Sequence, residues 1–150
     1  MIIPLEVVVY DKRARDGTWC TKYYPNHKKG CPNFPDCIKE RMDFKEYKGY
    51  KWFAVVTRFD LKSHAKRMKN KHKNWTERQC RNLLYWQRKV RSRLKKKAES
   101  FANPLLGDII LDIPEANGVH VFDTMKWHGL ILETHKPNKI HKIMLVGKHG

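Results

Sequence analysis

The stretch WCTKYYPNHKKGCPNFPDC, residues 19–37, constrains this chain more than any other. It holds three of the four cysteines and three of the seven prolines. Pro25, Pro32 and Pro35 remove backbone donors, so no helix is expected through it. Gly30 permits a positive φ just before Cys31. A segment this irregular can be ordered by cross-linking its side chains. Residues 1–10, MIIPLEVVVY, are too short to cross a bilayer. They carry Glu6 inside the apolar run and no basic residue ahead of it, so they do not read as an export signal. That reading places the protein in the cytoplasm, where thiols stay reduced. Four cysteines there point to a metal or a metal cluster before disulfides.

The cysteines are spaced Cys20, ten residues, Cys31, five residues, Cys37, then 42 residues to Cys80. Structural zinc sites usually use close C-x2-4-C pairs, and none is present. A 4Fe–4S cluster is wider and accepts ligands from longer loops. The expectation is an iron–sulfur cluster on Cys20, Cys31, Cys37 and Cys80, with zinc as the alternative. Cys80 is expected in the first turn of a long helix, where the helix dipole favours a thiolate. The bland reading is four ordinary reduced thiols, with Cys80 a small apolar residue facing the core. His27 reads as a surface loop histidine before it reads as a ligand.

Around these cysteines the chain resembles a known group. Trp19-Cys20, Tyr24-Pro25-Asn26-His27, Gly30-Cys31-Pro32-Asn33-Phe34 and Cys37 carry the resemblance. It continues through Phe59-Asp60-Leu61 with His64 and Met68, through Leu84-Tyr85-Trp86-Gln87, and through Pro114-Glu115-Ala116 with Gly118-Val119. The pattern is similar to uncharacterised cysteine-rich proteins, often phage-encoded and sometimes described as predicted metal-binding proteins. The resemblance implies metal or iron–sulfur binding through Cys20, Cys31, Cys37 and Cys80, and no established reaction. The chain departs from the pattern around Gly30, where Lys28 and Lys29 stand in place of a proline. It departs again after Cys37, where Ile38-Lys39 stands in place of prolines.

The second constraint is charge. The chain carries a net +17, and residues 62–97 alone hold 15 Lys or Arg against one acid, Glu77. Such a concentration of cation repels itself unless counter-charge is near. Nucleic acid is the commonest partner of that kind, with an acidic protein as the alternative. Lys66, Arg67, Lys69, Lys71 and Lys73 precede the expected long helix. Arg88, Lys89, Arg91, Arg93, Lys95, Lys96 and Lys97 lie on it. Trp75, Tyr85 and Trp86 are interleaved and suited to stacking on bases. Helical rotation also places Trp86 near Leu83 and Val90, which makes a core role at least as natural. The competing reading of the lysine run is a solvated face, but a face with so few acids is unusual for that.

The remaining elements follow from period and punctuation. Residues 2–10 read as a strand, with the valine run at 7–9 buried on both faces, and residues 51–59 as another. Asp60 reads as the N-cap of a helix over 61–70, with a thin apolar stripe at Leu61, Ala65 and Met68. Thr76 and Gln79 fit a capping box. The helix they open is expected to run unbroken to about residue 101, with Cys80, Leu83, Leu84, Val90, Leu94 and Ala98 on one face. Strands follow at 107–113, 130–133 and 140–146, with a helix at 119–128 and a turn at 136–139. Asp108, Asp112, Glu115 and Asp123 read as the solvent face of a strand before they read as a divalent-metal site.

The expected fold is one α+β domain over residues 1–150. It has a small, mostly antiparallel sheet, one long basic helix and two shorter helices, a metal-binding loop at 17–40 and a basic helical segment at 60–101. No phosphate-loop, dinucleotide-binding or zinc-deaminase motif occurs. The function expected first is a cluster-binding protein with a basic surface for nucleic acid, accessory to redox or modification chemistry. The second reading is a zinc-stapled nucleic-acid-binding module. The third is an enzyme of sulfur or electron transfer, using an open cluster site or a free thiolate such as Cys37.

Overall fold

Two strands of equal length carry the structure. β2 (Tyr50–Asp60) and β4 (Lys139–His149) pair antiparallel along their whole lengths, with Val55 opposite Met144. The computed structural model describes residues 1–16, 41–133 and 137–150. Within them, β1 (Ile2–Pro4) pairs with the outer edge of β2, and β3 (Ile109–Leu111) with the outer edge of β4. The sheet order is β1-β2-β4-β3, antiparallel throughout. Among the described residues, five helices accompany it: α1 (Lys12–Asp16), α2 (Leu61–Lys71), α3 (Glu77–Cys80), α4 (Gln87–Phe101) and α5 (Val121–Trp127). The expected α+β class holds.

Both faces of the sheet are covered, which explains why residues 54–57 are buried without a break. Successive side chains point to opposite faces of a strand. Ala54, Val56 and Leu145 pack with Leu111, Val119, Val121 and Met125 on the α5 side. Val55, Met144 and Val146 pack with Leu94, Ala98 and Ala102 on the α4 side. Burying one Leu or Val side chain contributes about 1.5–3 kcal/mol, so each layer is a core in its own right.

The first strand is shorter than its sequence suggests. The strand ends at Pro4, and the Leu5 N–H makes one more bond to β2, to the Trp52 carbonyl (2.9 Å). Residues 6–11 then bond to the helical layer. Glu6 N–H donates to His128 Nε2 (2.9 Å) and Val9 N–H to Thr124 Oγ1 (2.9 Å). His120 N–H donates to the Val9 carbonyl and Asp11 N–H to that of Gly118. Val7 is therefore exposed, not buried on both faces. Gly118 is required where this segment crosses. Its φ is +96°, and a Cβ would lie 2.5 Å from the Tyr10 ring. Residues 130–133 form no strand. The expected turn at 136–139 lies partly outside the described residues.

The largest departure is in the long helix. Thr76 and Gln79 form the expected capping box, but the helix they open ends at Cys80. Asn82 then accepts the N–H of Leu84 (3.0 Å) and caps a short 3₁₀ turn, Leu83–Tyr85. Trp86 turns inward: its indole N–H donates to the Arg81 carbonyl (3.1 Å), and its ring stacks on Phe59 at 4.9 Å. α4 restarts at Gln87. Leu83 and Leu84, expected on the buried face, are exposed, Leu84 by 81%. With the helix bent here, Trp86 is held by its indole bond and by Phe59, and Leu83 and Leu84 are left outside the core.

Candidate nucleic-acid interface

α4 is a helix of 15 residues that buries only Val90, Leu94 and Ala98. Spacing of four residues puts these on one narrow stripe, and that stripe is seated on the sheet. Phe101 at its end is half-buried against Phe53, and the basic residues point outward. Arg88, Lys89, Arg91, Arg93, Lys95, Lys96 and Lys97 are all exposed. The same logic holds on α2, where Leu61, His64 and Ala65 are buried while Lys66, Arg67, Lys69 and Lys71 are exposed, as is Lys73 just beyond. Asp60 caps α2 as expected, accepting from Ser63 N–H at 3.0 Å.

Among the described residues, none of these twelve cations has an acid within ion-pair distance. Lys69 differs from the others, because its ammonium donates to the Lys73 and Trp75 carbonyls and ties off the end of α2. Arg81, near the same segment, is a structural residue. It pairs with Glu77 at 2.8 Å and donates to the Pro137 carbonyl.

The aromatics divide. Trp86 belongs to the core. Tyr85, 50% exposed, lies against Trp75 at 5.0 Å, and Trp75 stacks on His72 at 3.9 Å and 9°. The bend at residues 81–86 thus leaves a His72–Trp75–Tyr85 stack at the surface between the two basic helices. No helical periodicity announces that stack, since it exists only because the helix breaks. His64 is buried against Phe59, and burial, reinforced by Arg67, pushes its pKa down. It is a neutral core imidazole and not a phosphate contact.

The acids expected on a strand face are dispersed into anchoring roles. Asp108 is buried. It accepts from Asn103 N–H (2.8 Å) and His149 N–H (3.0 Å), and Lys148 lies 3.0 Å away. Those backbone donors, with Lys148, hold its pKa below the usual carboxylate value. Asp112 pairs with Arg41 at 2.6 Å; burial works against its ionised form, but the guanidinium keeps its pKa low. Asp123 lies 3.4 Å from His120. Burial raises the pKa of Glu115.

Cys80 is fully buried and forms no disulfide. Cys20, Cys31 and Cys37, with His27 and the whole 17–40 loop, lie outside the described residues. Among the described residues no three His, Cys, Asp or Glu side chains gather as a metal site, and no helix is long and apolar enough to cross a membrane. No protein-family model, curated protein or solved structure gives a significant match to this chain.

Proposed function

We propose that this protein binds nucleic acid through the outward faces of α2 and α4. The observation that carries this reading is twelve exposed Lys and Arg side chains without an acid in ion-pair distance among the described residues. Solvated helices usually interleave acids at i, i+4, which lowers self-repulsion. Here the apolar stripe of α4 is satisfied by the sheet, so its cations contribute nothing visible to packing. A polyanion releases condensed counterions when such a face docks, and that release drives association. The His72–Trp75–Tyr85 stack supplies a platform for an unpaired base beside the cations.

The test is a salt titration of binding to one duplex and one single strand. A face covering about five phosphates gives a slope of log K against log[salt] near −4 to −5 on a duplex. No measurable binding at low salt to either form rules this reading out and leaves an acidic protein as the partner class to test.

A metal centre on Cys20, Cys31, Cys37 and Cys80 is the second reading, with a 4Fe–4S cluster ahead of zinc. The structural support is Cys80 alone: a thiol free of disulfide, held in a turn whose backbone the capping box fixes. Anaerobically purified protein is expected to contain iron and acid-labile sulfide. Stoichiometric zinc without sulfide replaces the cluster with the zinc-stapled alternative.

A further inference from the structure

β1 covers only part of the outer edge of β2. Its pairing ends with Ile2 opposite Val55, and the Val56 N–H then donates to the Met1 carbonyl at 2.8 Å. Beyond that point β2 runs on through Thr57 and Arg58 to Asp60, paired with β4 on its inner edge and with no strand on its outer edge among the described residues. α4 crosses the sheet next to this bare edge. Between them lies a cleft of about 500 Å³, floored by Met1 and Val56. Its other lining residues are Thr57, Arg58, Arg93, Lys96 and Lys97, so it holds four cations and no acid.

Thr57 is the unusual member. It is 7% exposed, and its hydroxyl is buried without a hydrogen-bond partner. A buried hydroxyl left unpaired is destabilising, and native folds seldom keep one without a use. Threonine and valine are nearly isosteric, and the ladder bonds of β2 are made by the backbone, so nothing among the described residues uses the hydroxyl. Thr57 lines the cleft, where an incoming oxyanion would supply the missing acceptor.

We propose that this cleft is a phosphate-binding subsite, in which Thr57 donates to a phosphate oxygen while Arg93 and Lys97 neutralise its charge. The phosphate is one carried on a polynucleotide strand, so the inference rests on the nucleic-acid reading and names where one phosphate is gripped. The volume suits a phosphate with its adjoining sugar. The rest of the basic face tracks the backbone.

The experiment compares T57V, the R93Q/K97Q pair and the K89Q/K95Q pair, each on the full chain. The probes are a 12-nucleotide single strand with a 5′-phosphate, the same strand with a 5′-hydroxyl, and inorganic phosphate alone. Both double variants remove two charges, so simple electrostatics weakens them equally. The cleft pair is expected to lose about tenfold more affinity than the control pair, because charge-assisted bonds to one gripped phosphate are lost with it. T57V is expected to weaken binding about fivefold with an unchanged salt slope, since it removes a donor and no charge. The same substitution should raise the melting temperature of the free protein by a few degrees, as an unpaired buried hydroxyl is gone.

A preference for the 5′-phosphate strand assigns the subsite to a terminal monoester, and equal binding assigns it to a backbone diester. Thermal stabilisation by inorganic phosphate that vanishes in T57V, with no binding of either strand, keeps the subsite and removes the nucleic-acid reading. If T57V binds every probe as the parent does, or the two double variants lose affinity equally, there is no subsite in this cleft.

Discussion

The two faces of the sheet have cores of similar make and opposite surfaces. On the α5 side, charged groups are spent on structure. Arg13 meets Asp11 at 2.7 Å, Arg41 meets Asp112 at 2.6 Å, and His120 lies beside Asp123. On the α4 side, the helix presents seven exposed cations, with no ion pair to any of them among the described residues. Beneath those surfaces, Met125 on one side and Leu94 on the other are both buried among aliphatic side chains. Burial therefore does not distinguish the faces. What distinguishes them is the outer face of α4: Lys148 on that side pairs with Asp108, but the seven cations of the helix have no ion pair among the described residues.

The sharpest way to break that comparison is at Trp86 and Tyr85, neighbours with opposite assignments. Trp86→Ala removes a buried ring stacked on Phe59 and should destabilise the fold by about 3–5 kcal/mol. Tyr85→Ala should leave stability within about 0.5 kcal/mol and weaken single-strand binding by about 1–3 kcal/mol. Denaturant melts and fluorescence-anisotropy titrations read both. If Trp86→Ala melts like the parent, the tryptophan is not a core residue and the bend lacks its explanation.

The equality of the two cores is tested by Leu94→Ala and Met125→Ala. Each should cost about 2–5 kcal/mol in chemical denaturation. A loss confined to one of them makes that face the only real core.

The lysine triple K95Q/K96Q/K97Q sharpens the electrostatic half. Helical rotation keeps the three from facing one groove, so the salt slope should fall by about one to two. Stability should hardly change, because all three are exposed. An unaltered slope would falsify phosphate contact by this part of α4.

Asp108 supplies a smaller, pH-dependent effect. Its folded pKa is depressed by the Asn103 and His149 backbone donors and by Lys148. A carboxylate depressed on folding contributes stability above its unfolded pKa, near ~4, and loses it as pH falls through the folded value. Asp108→Asn should therefore flatten the acid limb of a stability–pH curve between about pH 4 and the folded pKa. Parallel curves for variant and parent would show that the ionised form is not what anchors the β3 turn. The smallest effect is Thr76→Ala, expected to cost about 1 kcal/mol by thermal melt through loss of the capping box.

What the sequence determined by itself was whatever depends on neighbours within a turn or a strand. Asp60 capping Ser63, the Thr76–Gln79 box, the end of α4 before Pro104, and the apolar runs of β2 and β4 are local matters of donor, acceptor and period. The cationic segment is equally legible, since charge is a property of composition. Tertiary structure alone decided the rest, because those outcomes are contests between distant partners. The patterned helix is interrupted at residues 81–86, where Trp86 stacks on Phe59. The valine run lost its strand because the Thr124 hydroxyl of α5 and the backbones of Gly118 and His120 took up the bonds of residues 9–11. Asp108 left the solvent face to receive two backbone N–H groups from separate segments. The cleft at Thr57 needs α4 to cross beside β2. Period and propensity report what one segment prefers, and which of two preferences yields is settled only when the segments meet.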